Sequence, residues 1–159
     1  NLKKLGFDHY SSPSKRAIET AEFLELEIKS YEQNLQEFNY GKAEGMYFEQ
    51  LIQNYPNIQE SINNNEDFTF PGGENYSDVF SRVNTYIQQI KNNSLLITHQ
   101  GPIRAVIGNF FDVPIHHWYK IVIPFGTQIE LLKFNKEIYV NINRKLFKEI
   151  FSGFYDSKK

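Results

Sequence analysis

LLITHQGPIRAV (residues 95–106) decides how the chain is read. An apolar run, Leu95-Leu96-Ile97, delivers His99 onto a loop that passes at once into Gly101, Pro102 and an apolar-periodic segment, expected as a helix over 102–110. A strand that ends in a histidine just before a helix start sets an imidazole beside free backbone N–H groups, and such a place attracts anions. The pattern repeats upstream. A candidate strand around residues 7–10 runs into SSPSKRAIETAEFLELEI (11–28), where Pro13 suits a first helical turn and Ala17, Ala21, Leu24 and Ile28 recur at helical spacing. Strand–helix alternation argues for an α/β domain with a mostly parallel sheet. Ligands in such sheets bind outside the carboxyl ends of the strands. The loops at 10–16 and 98–102 are therefore expected to open on one edge, where His99 has company.

The remaining elements follow from the same patterns. Leu2 and Leu5 read as the tail of a helix stopped by Gly6. LQEFNYGKAEG (35–45) is a glycine-punctuated loop, a short helix is expected over 47–54 before Pro56, and INNNED (62–67) is a polar turn. FPGGENYSD (70–78) opens a helix with Val79, Val83, Ile87 and Ile90 on one face. QIELLKF (128–134) and EIYVNI (137–142), separated by Asn135-Lys136, read as a hairpin. RKLFKEIFSGFYDSKK (144–159) places Leu146, Ile150 and Phe154 on one helical stripe. No internal repeat or interdomain linker interrupts the chain.

Composition narrows the chemistry. A chain of 159 residues, 40% apolar, suits one domain with a sizeable core. A formal charge of −2 calls for no nucleic-acid or anionic-membrane partner, and no apolar run is long enough for a transmembrane helix. Cysteine is absent, which removes disulfides, thiolate nucleophiles and Cys-ligated zinc. The four histidines, His9, His99, His116 and His117, do not fall at His-x-x-x-His spacing, and the carboxylates do not cluster, so no metal is expected. No signal peptide is visible, and the expected compartment is the cytoplasm.

Three side chains stand out beside His99. Arg16, in the first turn after Ser11-Ser12-Pro13, suits a bidentate grip on phosphate, although taken alone it reads first as a solvated helix arginine. Glu37 precedes a Tyr-Gly turn instead of lying on an amphipathic face, so it can point into a cleft as an acid; alone it is an ordinary loop glutamate. Gly72-Gly73-Glu74 by itself is a turn before a helix.

Taken together and in order, YSSPSKRAIETA, LQEFNYGKAEG, FPGGENYSDVFSRV and LLITHQGPIRAVIG resemble the histidine phosphatase superfamily, over residues 1 to about 142. The resemblance implies a phosphoglycerate-mutase-like fold, three-layer α/β/α, with a small cap at 46–70 and a helical extension over 143–159. It implies that Arg16 clamps the phosphate and that Glu37, from the family's E-x-x-(Tyr/Phe)-Gly motif, protonates the leaving group. His99 becomes the second active-site histidine, hydrogen-bonded to the transferring phosphoryl group. The backbone N–H of Gln100, where the family usually has glycine, completes the cradle, while Tyr40 and Ser12 contact substrate. Arg82, Asp78 and Arg104 match motif positions and are expected to form structural ion pairs. The chemistry is coherent: phosphoryl transfer needs positive charge over the equatorial oxygens, an in-line nucleophile and an acid for the departing alkoxide. Arg16 and His99 supply the first, and Glu37 the last if its pocket raises its pKa.

The nucleophile is missing. The family's defining motif is Arg-His-Gly at the end of its first strand, and no Arg-His dipeptide occurs in these 159 residues. His9 precedes the Ser-Ser-Pro loop on a different strand, and His116-His117 read as exposed helix-end residues without a catalytic role. The expectation is that the parent protein carries the motif upstream, in about forty residues, the size of a strand plus its crossover. That strand is central in the family's sheet, so without it two ladder edges stand open. The rival is a truncated, catalytically inactive relative that serves as a phosphate-binding or regulatory module.

Residues 46–70 contain no Lys or Arg but carry Glu49, Glu60, Glu66 and Asp67. A cap without cations is a poor receptor for a phosphoglycerate carboxylate, which counts against a phosphoglycerate mutase. The short cap looks most like the alpha-ribazole phosphatase branch, which acts in cobalamin assembly, although Asn75 replaces the serine common in that motif and broad-specificity phosphatases share such caps. The expected partner is a small phosphorylated metabolite, with no cofactor, and the oligomeric state stays open between a monomer and a homodimer. For 143–159 the expectation is a helix docked on its own domain, with membrane-surface attachment or a subunit contact as rivals.

Overall fold

The strand ahead of His99 spans Ser94–Ile97 (β3) and pairs in parallel with Asp8–Ser11 (β1), setting Tyr10 opposite Leu96 and Ser11 opposite Ile97. On its other side β1 pairs in parallel with the short strand Ser30–Tyr31 (β2), giving the order β2-β1-β3. The computed structural model describes residues 6–134 and 137–154. Because β1 and β3 run in register, their carboxyl ends lie side by side. The Ser12 N–H donates to the Ile97 carbonyl at 2.8 Å, extending the ladder one step beyond the strands. The two loops singled out in the sequence are tied together at that point.

Helix Lys15–Phe23 (α1) lies on β1 and β3, burying Ala17 and Ala21. Helices Tyr76–Gln89 (α4) and Gln100–Phe110 (α5) pack on one another. Tyr10 meets Tyr86 of α4 edge-on at 6.0 Å. Val79, Val83 and Ile87 join Ala105, Val106, Ile107, Trp118 and Ile121 in the main core, as the stripe on α4 predicts. Ile90 instead takes the C-cap position of α4 and is only half-buried. Gly108 gives Trp118 its place: a Cβ there would lie 2.6 Å from the indole Cε2. The result is an α/β fold on a parallel sheet.

Helices Phe48–Asn54 (α2) and Pro56–Asn63 (α3) form a smaller core around Leu51 and Ile58. The sequence pattern predicts one helix here. Pro56 stops α2, but it also occupies the first position of α3, where a missing N–H costs nothing and its fixed φ suits the helix. The polar turn therefore starts two residues later than expected. Strands Glu130–Phe134 (β4) and Glu137–Asn141 (β5) make the expected antiparallel hairpin, with Leu132 opposite Tyr139, as a separate sheet. Its turn, Asn135-Lys136, lies outside the described residues, as do Leu2 and Leu5. Helix Arg144–Ile150 (α6) sends Ile150 and Phe151 into the main core, and the Val122 N–H donates to the Ile150 carbonyl at 2.8 Å. Among the described residues no helix is long and apolar enough to cross a membrane.

Helix α1 departs from its predicted extent. Leu24 and Ile28 lie beyond its end, and Glu25 turns the chain with φ +53°. The Leu26 N–H reaches back to the Ala21 carbonyl (2.9 Å) and the Glu25 N–H to the Glu22 carbonyl (2.8 Å). This is a Schellman ending with the buried pair Ala21 and Leu26 as its apolar contact. The inward-facing leucine is thus Leu26. The start of α1 is displaced too, since Ser14 is the N-cap and Pro13 precedes it.

Candidate active site

His99 sits at the N-cap position of α5, directly after β3, and is 6% exposed. Its Nδ1 accepts from the Arg16 Nε–H at 3.0 Å, and its Nε2 lies 2.7 Å from Ser12 Oγ and 2.9 Å from Ser14 Oγ. A guanidinium can only donate. Nδ1 must therefore offer its lone pair, and the ring proton resides on Nε2. Burial, and then the Arg16 charge, push the His99 pKa below its ordinary value against a smaller opposing pull from Glu37. The ring is accordingly a neutral imidazole whose Nε2–H points at the two hydroxyls. With its lone pair committed to Arg16, it cannot take a proton from Ser12 or Ser14, so these contacts do not make a nucleophilic serine. They make a donor ready for an anion.

Glu37 reaches the same place from the irregular loop after the Gln33–Leu35 turn. Its Oε1 accepts two backbone N–H groups, Phe38 at 2.8 Å and Gly101 at 2.8 Å. Its Oε2 stands 4.0 Å from Arg16 Nη2. With Oε1 held by two donors, Oε2 is the oxygen left facing Arg16. Gly101 permits this approach, because a Cβ on it would overlap Oε1 and lie 3.2 Å from Phe38 Cβ. The structure thus brings together Arg16, Glu37, His99 and Ser12.

The other predicted residues stand around this group. Tyr40 stacks on Phe38 (5.0 Å) and meets Phe70 edge-on, half-buried between the main core and the α2–α3 core. Gln100 opens α5, and its side chain donates to the Ile123 carbonyl at 2.9 Å. Of the three expected ion pairs, Arg82 makes one, with Glu74 at 2.6 Å. Arg104 instead donates to the Ile121 carbonyl (3.0 Å), and Asp78 forms a capping box with Asn75. His116 and His117 are half-buried within the Ile115–Lys120 turn, not exposed at a helix end. His9 lies on β1, with Nδ1 3.2 Å from the Glu27 carbonyl.

Ser14 escapes the sequence reading, and Gly101 and Glu74 enter it only as parts of a loop and a turn, without the contacts found here. Glu74 arrives through a backbone contact, since the Glu74 N–H donates to the Asn39 carbonyl (2.9 Å) and the Lys42 N–H to the Pro71 carbonyl (2.8 Å). Gly41 (φ +55°) and Gly73 lie where those two loops touch, and a Cβ on either would strike the other loop's backbone. The paired glycines are the signal, but neither names its partner.

Comparison with known proteins agrees with this geometry. The chain is 30% identical over 130 residues to the 6-phosphofructo-2-kinase/fructose-2,6-bisphosphatase of Caenorhabditis elegans, covering 79% of this chain and 28% of that protein. It is 29% identical over 107 residues to phosphoserine phosphatase 1 of Hydrogenobacter thermophilus, covering 61% of this chain and 50% of that protein. The chain thus spans half or less of the length of these relatives. The crystal structure of phosphoglycerate mutase from Thermus thermophilus superposes with a TM-score of 0.57 at 29% identity, over 72% of this chain and 65% of that one. Residues 1–141 match the family defined by the site motifs, and the chain belongs to the histidine phosphatase superfamily (branch 1).

Proposed function

We propose that the protein is a phosphomonoester hydrolase that works through a phosphohistidine. The observation that carries this reading is the meeting of Arg16, the Nε2–H of His99 and the Oε2 of Glu37 at the joined ends of β1 and β3. Arg16 and His99 donate to the phosphoryl oxygens, and Glu37 gives its proton to the ester oxygen as the P–O bond breaks and a P–N bond forms. Water then attacks phosphorus, Glu37 takes back a proton, and inorganic phosphate leaves. The nucleophile is the histidine of an Arg-His-Gly segment, which residues 1–159 do not contain. Its place is supported by β3, which among the described residues pairs on one side only, with Leu95, Leu96 and Ile97 half-exposed. An apolar strand with one open edge accepts a further strand.

The substrate reading rests on the cap. Residues 46–70 hold no cation, and Asp67 is already engaged by the Tyr76 and Ser77 N–H groups (3.1 and 2.9 Å) at the start of α4. The cap therefore favours a substrate without a second anionic centre, of the alpha-ribazole phosphate kind, over phosphoglycerate. The two relatives are named for a sugar bisphosphate and an amino-acid phosphate, so the branch rests on cap composition alone.

Incubation of the protein carrying its Arg-His-Gly segment with a labelled phosphomonoester, quenched in base, tests the reaction. A base-stable, acid-labile phosphoprotein that is lost in His99→Ala supports it. Phosphate release without a phosphoprotein overturns the mechanism. Vanadate binding without any turnover indicates instead a catalytically inactive phosphate-binding module.

A further inference from the structure

Glu37 lies in a loop without strand or α-helix, yet its carboxylate is placed within hydrogen-bond distance of Gly101 on α5. The carbonyls on either side of its turn are held by one guanidinium: Arg82 Nη1 donates to the Asn34 carbonyl (2.8 Å) and Nη2 to that of Glu37 itself (3.1 Å). Glu74 orients that guanidinium with both oxygens, accepting from Nε at 2.6 Å and Nη2 at 3.1 Å. The second Glu74 oxygen also accepts the Asn39 N–H at 2.9 Å, so the same carboxylate grips the far end of the loop. The two side chains are only 18% and 21% exposed, so this is a sheltered fork and not a solvated surface pair. Thr98 adds one bond to the Leu35 carbonyl at 2.7 Å.

We infer that Arg82 and Glu74 are positioning residues for the proton donor Glu37. They fix the backbone on both sides of it so that Oε1 stays on the Phe38 and Gly101 N–H groups and Oε2 faces the leaving group. The inference rests on the phosphatase reading for its chemical meaning, but its geometry stands by itself. A lysine cannot replace this arginine, because one ammonium does not span two carbonyls and two carboxylate oxygens in a fixed plane.

The test compares Arg82→Lys and Glu74→Gln, variants of similar volume, by two measurements. The first is turnover of an alkyl phosphomonoester against p-nitrophenyl phosphate, whose leaving group needs little help from an acid. Loss of a general acid costs about 10²–10⁴-fold, and Glu37→Gln sets that scale on the alkyl ester. Arg82→Lys is expected to lose about 10²-fold on the alkyl ester, the cost of a misplaced group, with p-nitrophenyl phosphate much less affected. Equal losses on both esters overturn the positioning role. The second measurement needs no turnover: the amide 15N shifts of Phe38 and Gly101, both bonded to Glu37 Oε1, are followed against pH. In the wild type the two amides move together. If they still do so in both variants, the inference fails. If they separate while the wild type, tested with its Arg-His-Gly segment present, hydrolyses neither ester, the positioning stands and the phosphatase reading falls.

Discussion

His99 and Glu37 both meet Arg16, but they are held there by different means. His99 is delivered by the backbone: β3 is locked to β1 residue by residue, and the Ser12–Ile97 bond brings Ser12 with it. Glu37 is delivered by side chains, through Arg82, Glu74 and Thr98 gripping a loop with no ladder of its own. The half that the proposal assigns to gripping phosphate is therefore as stable as the sheet, whereas the half it assigns to donating a proton is as stable as a handful of polar contacts. This division suits the chemistry, because an anion cradle works best rigid and preorganised, whereas an acid must admit and release a leaving group.

The largest effect expected from breaking the sheet-borne half is at Arg16. Removing a charged hydrogen-bond donor costs about 1.5–3 kcal/mol, or about 10–150-fold in affinity. Arg16→Ala should weaken phosphate or vanadate binding by that factor in a calorimetric titration. It also frees His99 Nδ1, so the ring loses its fixed tautomer and its pKa rises. Equal affinity in the variant would show that Arg16, whose side chain is 64% exposed, serves only the fold.

Breaking the loop-borne half takes a single methyl group. Gly101→Ala places a Cβ against Glu37 Oε1 and Phe38, a form of overpacking that costs about 1–3 kcal/mol. A lower urea midpoint with an unchanged m-value is the expected outcome, and anion affinity on the His99 side should stay close to wild type. If anion affinity falls with stability, the two halves are coupled and do not stand on separate supports.

The same division explains what could be read from the sequence. β1, β3, α4 and α5 announce themselves through apolar runs and period-3.6 stripes, and the strand–loop–helix pattern alone puts Arg16 and His99 on one edge. Glu37 is legible through the family resemblance and a nearby Tyr-Gly turn. Its support is not, because Arg82 lies 45 residues away from it in sequence and meets it through main-chain oxygens. Arg104 and Asp78 depart from the expected ion pairs for a related reason: their partners are a carbonyl and a helix cap, which charge pairing in a sequence does not reveal. The end of α1 differs from expectation because its stop signal is Glu25 and not glycine.

Acid should weaken the His99 half in a predictable direction. Its pKa is lowered in the folded state, so below the ordinary histidine value, about 6.5, the unfolded chain binds a proton that the folded chain resists. This contribution to stability is complete above that pH and is lost as pH falls through it toward the folded value. His117, lowered mainly by burial and with Nδ1 lacking a hydrogen-bond partner, adds to the same trend. His99→Asn, which keeps an acceptor for Arg16, should flatten the fall in urea midpoint between about pH 7 and pH 5, the range that brackets the ordinary histidine value. A profile as steep as that of the wild type would assign the acid sensitivity to other groups.

The smallest effect concerns how α1 hands the chain from one half to the other. Helices α1, α3 and α5 all end with a left-handed residue, Glu25 (φ 53°), Asn65 (φ 60°) and Asp112 (φ 50°), where glycine is the usual choice. Each closes the same pair of bonds, as in Val113 N–H to the Gly108 carbonyl and Glu66 N–H to the Ser61 carbonyl (both 2.9 Å). The left-handed region costs an ordinary side chain about 1–2 kcal/mol, but Asn and Asp enter it readily. Glycine avoids that strain and returns part of the gain to the unfolded chain as entropy. Glu25→Gly should therefore stabilise by about 0.5–1 kcal/mol, a rise of about 2–4 °C in Tm at most for a chain of this size. Asp112→Gly and Asn65→Gly should gain less. The order tests the cause, since relief of strain ranks Glu25 first, whereas a general preference for glycine at helix ends would raise all three alike. Anion affinity should not move in Glu25→Gly, because the turn at Glu25 lies beyond the last contact that α1 makes with the site, at Arg16.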